Sequence, residues 1–264
     1  MNHSKIKSLY KYVASTQRVL DMVESQEVWF STMSKFNDPF EGIYDIVDDI
    51  SHEAIISLAV KSLSEEGYSW SGISSHIAKN IMKDDFGGLP IKDEVKTKIK
   101  ESVQGMIEAT KRSGIISLAE DPKNILMWSH YANEHKGVCV ELERNIDEDL
   151  GDNKRCRPVT YSKEYPQPSI EDILKGDHAL TDKVAYTKSV DWAYEKEWRV
   201  RRDRGDCLHP LPGPIRSIIL GAKWEGDLGE IQSFCVVNGI SLLVASITKG
   251  EFSLSFEDIT HKHL

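Results

Sequence analysis

The chain of 264 residues carries 33 Lys and Arg against 42 Asp and Glu, a formal net charge of −9, and is 40% hydrophobic and 28% charged. That length and composition suffice for a sizeable buried core and exclude collagen-like, low-complexity and grossly disordered chains. The acidic balance excludes coating of duplex nucleic acid by bulk charge, though not a small basic groove.

No stretch reaches the roughly 18 uninterrupted apolar residues of a membrane span, and residues 1–7 are not followed by an apolar run of signal-peptide length, so secretion and membrane contact are not expected. Cys139, Cys156, Cys207 and Cys235 form no C-x-x-C pair. Reduced thiols in a cytoplasm, and no metal site, are the expectation.

A strand is predicted over 9–13, then a helix starting at Ser15 or Thr16, capped by a hydroxyl and burying Val19, Leu20 and Val23. A second strand over 28–31 runs into Phe36-Asn37-Asp38-Pro39-Phe40-Glu41-Gly42. Asn-Asp-Pro is a turn-forming string, because proline excludes its predecessor from the helical region and Asx side chains bond back to local backbone. Residues 51–114 read as a helical insertion interrupted by breakers at 67–72 and 84–90.

Strand, helix and strand follow at 115–119, 125–131 and 138–142, with further strands at 157–161 and 197–201 and a helix over 170–180. A strand-helix-strand unit closes the chain: strand 215–220, Gly221, a helix from Leu228 stopped by Asn238-Gly239, strand 240–247, and a last strand over 252–256. The expectation is an α+β fold in a single domain, 1–264: a mixed, mostly antiparallel central sheet, continuous or split, with flanking helices and the insertion at about 51–114.

Three clusters alternate polar and aromatic residues too densely for simple core and surface. They are Tyr10-Lys11-Tyr12 with Trp29-Phe30-Ser31 and Phe36 to Glu41; Met127-Trp128-Ser129-His130-Tyr131; and Trp192-Ala193-Tyr194-Glu195-Lys196-Glu197-Trp198-Arg199. As a strand, the third puts Glu195, Glu197 and Arg199 on one face, either a pair of carboxylates for electrostatic or acid/base work or a solvated charge ladder. Trp128 and Tyr131, three apart, share a helix face, as core or as a stacking platform. His130 reads as a general base, a ligand or a core histidine; its five-residue spacing from His135 does not suit a metal. Arginines at 199, 201, 202 and 204, with Lys154, Arg155 and Arg157, form either a solvated strand edge or an anion-binding lip.

These strings resemble the bacterial family called domain of unknown function 2971. The strings that carry the resemblance are Leu9-Tyr10-Lys11-Tyr12, Trp29-Phe30-Ser31, Phe36-Asn37-Asp38-Pro39-Phe40-Glu41, Met127-Trp128-Ser129-His130-Tyr131-Ala132 with His135-Lys136-Gly137, Lys188-Ser189 to Glu197-x-Arg199, and Ile218-Ile219-Leu220-Gly221. More distantly, the order of these elements is similar to the ADP-ribosyltransferase fold, particularly its DarT-type branch acting on nucleic acid. That resemblance implies a split sheet with NAD, a substrate, in its cleft, and Glu195-Lys196-Glu197 as an E-x-E with Glu197 catalytic.

It further implies that Tyr10, Lys11, Tyr12, Ser31, Asn37, Asp38, Trp128, His130, Tyr131 and Arg199 bind the cofactor. Within that set Trp128 or Tyr131 would stack on nicotinamide, Lys11 and Arg199 would pair with the pyrophosphate, and Ser31, Asn37, Asp38 and His130 would fix ribose or amide edges. The expected function is an NAD-consuming transferase, a defence or toxin effector acting on nucleic acid or protein, including defence against phage, with a neutralising partner. The alternatives are a non-catalytic binding module and a metal-dependent nuclease using Asp38, Glu41 or Glu195.

Overall fold

The computed structural model describes residues 6–45, 51–82, 91–175 and 178–262. The breaker string at 84–90 and most of the N-terminal string at 1–7 lie outside the described residues. In chain order the elements are β1 (Ser8–Val13), α1 (Thr16–Ser25), β2 (Glu27–Phe30), α2 (His52–Glu65), α3 (Trp70–Asn80), α4 (Asp93–Lys111), β3 (Gly114–Ala119), α5 (Ile125–Tyr131), β4 (Val138–Glu143), β5 (Cys156–Pro158) and β6 (Thr160–Ser162). They continue with α6 (Ile170–Lys175), α7 (Ala179–Ala185), β7 (Thr187–Ser189), β8 (Glu197–Arg202), β9 (Cys207–Pro210), β10 (Ile215–Leu220), α8 (Leu228–Asn238), β11 (Ser241–Ile247) and β12 (Leu254–Asp258).

The chain divides into two compact units, one of Met1–Lys35, Ser113–Tyr161 and Lys188–Leu264, the other of Phe36–Arg112 and Ser162–Thr187. In the first, eight strands form a mixed, mostly antiparallel sheet in the order β12-β11-β10-β4-β1-β3-β8-β5, and β2 pairs with β9 in a separate ribbon. β10 and β11 are the parallel neighbours, joined through α8, because only a helical crossover lets consecutive strands run the same way. β1 meets β4 along its full length, but it registers with β3 only at Tyr10 opposite Ala119. The sheet is thus continuous yet pinched between two halves at that pair. Just beyond it the Lys11 ammonium donates to the Ser117 carbonyl at 3.0 Å, bridging the splay where ladder bonds end.

One face of the sheet presents Leu9, Val140, Leu118, Trp198 and Ile218 to α1 and α8. From α1 the buried side chains are Val19, Met22 and Val23, each contributing about 1.5–3 kcal/mol by leaving water. Leu20, expected there, is only partly covered, since the helix turns its Met22 side inward instead. Ser15 stands at the N-cap without a side-chain bond, so the expected hydroxyl cap is not made. α8 is capped by Asp227, whose carboxylate accepts from the Glu230 N–H, and ends at Gly239 with φ +67°. The other face packs Tyr12, Cys139 and Ile219 against Met127 and Trp128 of α5.

Three expectations shift. The strand at 157–161 is two short strands, β5 and β6, and the helix over 170–180 is α6 and α7, with residues 176 and 177 outside the described set. The last strand starts at Leu254; Phe252 precedes it, fully exposed.

The second unit is helical. Ala54, Ile55, Ile73 and Ile77 of α2 and α3 cluster with Ile91 and with Ile170 of α6, and Val103 and Ile107 of α4 with Leu180 and Val184 of α7. The predicted insertion therefore shares its cores with residues from 162–187. Asp172 of α6 is buried and held by Lys175 and Lys183 at 2.9 and 2.7 Å.

Candidate functional site

The site grows from the place where β8 begins. Residues Val190–Glu195 form a 3₁₀ turn, Lys196 adopts a left-handed backbone with φ 44°, and β8 starts at Glu197. The third cluster is therefore not one strand, which corrects the expected face of Glu195, Glu197 and Arg199. Glu197 and Arg199 do share a strand face, opposite Trp198, while the carboxylate of Glu195 is delivered from the turn. A non-glycine residue in the left-handed region costs energy that its surroundings must offset. Here two flanking carboxylates end up on one cation.

That cation is Lys188, from β7. Its Nζ donates to Oε2 of Glu195 at 2.6 Å and to Oε2 of Glu197 at 2.9 Å, and the side chains are 6%, 3% and 3% exposed. Arg199, fully buried, donates from Nε to Oε1 of Glu197 at 2.7 Å and from an Nη to Oε2 at 3.2 Å. The Glu197 N–H donates to the Tyr161 hydroxyl at 2.8 Å.

Glu195 receives the Tyr131 phenol on Oε1 at 2.6 Å. α5 is fixed for that contact at its other end: the Asn124 side-chain oxygen accepts from the N–H groups of Leu126 and Met127, and its amide donates to the Tyr194 carbonyl at 2.6 Å. One asparagine thus caps the helix and ties it to the 3₁₀ turn.

The two carboxylates are driven apart in acidity. Burial pushes Glu195 above the usual carboxylate range, reinforced by the like charge of Glu197 and opposed by Lys188 and Tyr131. Burial would do the same to Glu197, but the charges of Arg199 and Lys188, with hydrogen bonds from Arg199, outweigh it and hold that group at about 2. Lys11 lies in the same field: burial lowers it, while Glu197 and Glu195 pull it back up. A carboxyl that can exchange its proton beside one that stays ionised is the division of labour found in acid/base sites.

Of the expected site residues, Lys11, Tyr131, Glu197 and Arg199 come together here. Tyr10 sits opposite Ala119, the neighbour of Glu197 across β3. Tyr12 and Trp128 belong to the core, their rings edge to face at 5.3 Å. The Tyr12 hydroxyl donates to the Asp121 carbonyl at 2.6 Å and the Trp128 Nε1–H to the Pro122 carbonyl at 2.7 Å. With Trp128 at 0% exposure, neither ring face is open for stacking. Arg199 likewise has its guanidinium committed to Glu197. His130 is exposed, with its ring near Tyr131 and Tyr194. Ser31 bridges to Ile115 through backbone bonds in both directions.

Asn37 and Asp38 lie in the second unit, where Asp38 is buried and accepts from the Phe40 N–H at 2.9 Å, the Asx turn the sequence calls for. The two basic runs meet where β5 pairs with β8, Arg157 opposite Arg199, but Arg199 is internal and Arg202 and Arg155 both pair with Asp149. Among the described residues no group of three or more His, Cys, Asp or Glu is arranged to hold a metal ion, and no helix is long and apolar enough to cross a membrane.

From the sequence, Lys188 stands out only as part of a family string and is given no role, and Glu195 is weighed without one. Residues 127–200 match the model of the family described as "Protein of unknown function (DUF2971)", so the family expected from the sequence is found over that segment. The match begins in α5 and ends in β8, taking in Tyr131, Tyr161, Lys188, Glu195, Glu197 and Arg199. No curated protein and no solved structure matches the chain.

Proposed function

We propose that this chain, whose residues 127–200 match a family of unknown function, is an NAD-consuming enzyme of the ADP-ribosyltransferase kind. The observation that carries the reading is the pair Glu195 and Glu197, joined by Lys188 yet driven apart in acidity. In such a reaction the bond from nicotinamide to ribose C1′ breaks with its electron pair leaving on the neutral nicotinamide. The acceptor's lone pair then forms the new bond to C1′, and its proton goes to a base. Glu197, held ionised, would stabilise the cationic ribose as charge develops, and Glu195, raised by burial, would take the proton. Nucleic acid or protein is the acceptor class, and a defence or toxin role with a neutralising partner follows from it.

The test is nicotinamide release from NAD, followed chromatographically with RNA, DNA and protein offered as acceptors. Release should fall by roughly 10²- to 10³-fold in Glu197→Gln, the loss expected for one preorganised charge stabiliser, with folding intact by circular dichroism. Expression of the wild type should slow growth, and Glu197→Gln should relieve it. Glu197→Gln turnover within about tenfold of wild type would reject the assignment.

One observation favours a second reading. Both oxygens of Glu197 are engaged and its side chain is 3% exposed, which also suits an ionic lock inside a non-catalytic binding module. Absence of nicotinamide release together with an unchanged melting temperature in millimolar NAD would decide for it.

A further inference from the structure

At about 100° per residue, Ile125, Leu126 and Ser129 fall on the side of α5 opposite Tyr131, away from the buried network. There they line a cavity of about 320 Å³, whose other walls come from the β11–β12 hairpin and from Ala222 and Lys223 after β10. That volume is at the low end of small-ligand sites, roughly 300–1,000 Å³. Most of the lining is apolar. Ile247 and Leu254 are cross-strand partners in the hairpin, and Ile247 and Leu126 remain 73% and 45% exposed. Apolar side chains left in water around a concave surface are what the hydrocarbon part of a ligand covers.

Polar groups of the lining gather around His135. The Ser129 hydroxyl donates to the Ile125 carbonyl at 2.9 Å and lies 3.2 Å from His135 Nε2, and the His135 carbonyl accepts from the Lys223 N–H at 3.0 Å. The backbone that delivers His135 is unusual: Asn133, Glu134 and His135 are left-handed in succession, with φ 46°, 55° and 70°, where non-glycine residues enter that region singly. The imidazole is fixed against buried Trp128, the rings nearly parallel at 6.2 Å and 14°. Strain of this kind persists where the surroundings over-determine it, and it clusters at ligand sites. Burial and the Lys223 charge push the imidazole below its usual range, against a hydrogen bond to the Ile125 backbone, so it is neutral at neutral pH and Lys223 carries the positive charge there. The Lys223 ammonium forms no ion pair among the described residues. The carboxylate of the lining, Glu251, accepts from the Ser253 hydroxyl at 3.3 Å within the hairpin.

We infer that this cavity is a binding site for a small amphiphilic carboxylate, an acid whose head group pairs with Lys223 beside His135 and whose apolar body covers Leu126, Ile247 and Leu254. The inference does not depend on the transferase reading. An unpaired ammonium next to a neutral imidazole favours an anion over a cation, and apolar walls favour a hydrocarbon body over a sugar. Glu251 opposes the charge of such a head group, so removing its charge tightens binding, whereas removing that of Lys223 loosens it.

The experiment is calorimetric titration of the full chain with octanoate, octan-1-ol and octylammonium, which share a chain and differ in head-group charge. Wild type is compared with Lys223→Gln, Ile247→Ser and Glu251→Gln, all at exposed positions, with melting temperatures taken alongside. Octanoate should bind wild type saturably, and octan-1-ol at least about tenfold more weakly, the loss expected for a hydrogen bond to a charged group. Lys223→Gln should lose about tenfold for octanoate and leave octan-1-ol unchanged. Ile247→Ser should weaken both by about threefold or more through lost apolar contact. Glu251→Gln should bind octanoate up to about threefold more tightly, as for a charge pair near the surface. Octanoate that does not bind, that binds no better than octylammonium, or that is indifferent to Lys223→Gln and Ile247→Ser overturns the inference. Weaker octanoate binding in Glu251→Gln also overturns it, by showing that Glu251 supports the ligand. Nicotinamide release from NAD is untouched by any of these results, so the two readings stand or fall separately.

Discussion

Lys188 shares one ammonium between Glu195 and Glu197, at 2.6 and 2.9 Å, although the first residue ends a 3₁₀ turn and the second opens a strand. The left-handed Lys196 between them makes that convergence geometrically possible. A buried cation serving two carboxylates is costly to remove, because the negative charges lose their common partner in a place water cannot reach.

Replacing Lys188 with Met should therefore lower the unfolding free energy by roughly 3–5 kcal/mol, the range for breaking a buried pair from one side. Urea denaturation of Lys188→Met against the double variant Lys188→Met/Glu195→Leu checks it. The double variant should recover part of the loss, since it removes one stranded charge. A single variant as stable as wild type would mean the ammonium does not bind these carboxylates in solution.

The opposite acidities of the pair predict opposite pH dependences. Glu197 is held at about 2, so its stabilising contribution is present above the ordinary carboxylate range and is lost as pH falls from there towards 2. Glu195 is raised, so its contribution is present below the ordinary range and is lost as pH rises through its folded value. Melting temperatures recorded across acid and neutral pH should show Glu197→Gln less stable at neutrality but flatter in acid. Glu195→Gln should keep its acid stability and remove the decline towards neutrality. Parallel curves for the two variants would refute the split.

What the sequence made legible was local. Residues 125–131 and 215–220 match α5 and β10, the first following the Asp121-Pro122 break and the second ended by Gly221 after its apolar run. The site was legible only in part. The meeting of Lys11, Tyr131, Lys188 and Glu197 depends on strands and a helix distant in sequence, which no local period specifies. Lys188 lies in a three-residue strand with no pattern of its own, and Glu195 reaches the site through a turn where alternation predicted a strand. Trp128 carries the residue type of a stacking platform; only packing distinguishes that from core.

Because both faces of Trp128 are covered, its replacement should act on stability and not on ligand binding. Trp128→Ala is expected to cost about 3–5 kcal/mol, as large aromatic truncations in cores do. Trp128→Phe should cost about 1–3 kcal/mol for leaving the Pro122 carbonyl without its donor. The difference emission spectrum between wild type and Trp128→Phe should be that of a buried indole, unquenched by iodide. Quenching, or a Trp128→Phe protein of full stability with altered NAD affinity, would restore it as a ligand contact.

Two glycines separate steric from conformational demand. At Gly221 a Cβ would land on the carbonyl oxygen of His135 and against that of Gly137. Its N–H already bonds the Gly137 carbonyl at 3.0 Å, and residues 133 to 135 are all left-handed, so the loop has little room to retreat. Gly239 instead has φ +67° and open space where a Cβ would be. Asn, which tolerates the left-handed region, should therefore be accepted at 239 with a loss of a few tenths of a kcal/mol to about 1 kcal/mol. At 221, Asn and Ala alike should cost about 1–3 kcal/mol through overpacking. Thermal unfolding of Gly221→Ala, Gly221→Asn, Gly239→Ala and Gly239→Asn distinguishes the two. If Asn rescues position 221 relative to Ala, the demand there is on backbone conformation, and the close approach of strand β10 to the loop behind Trp128 is wrong.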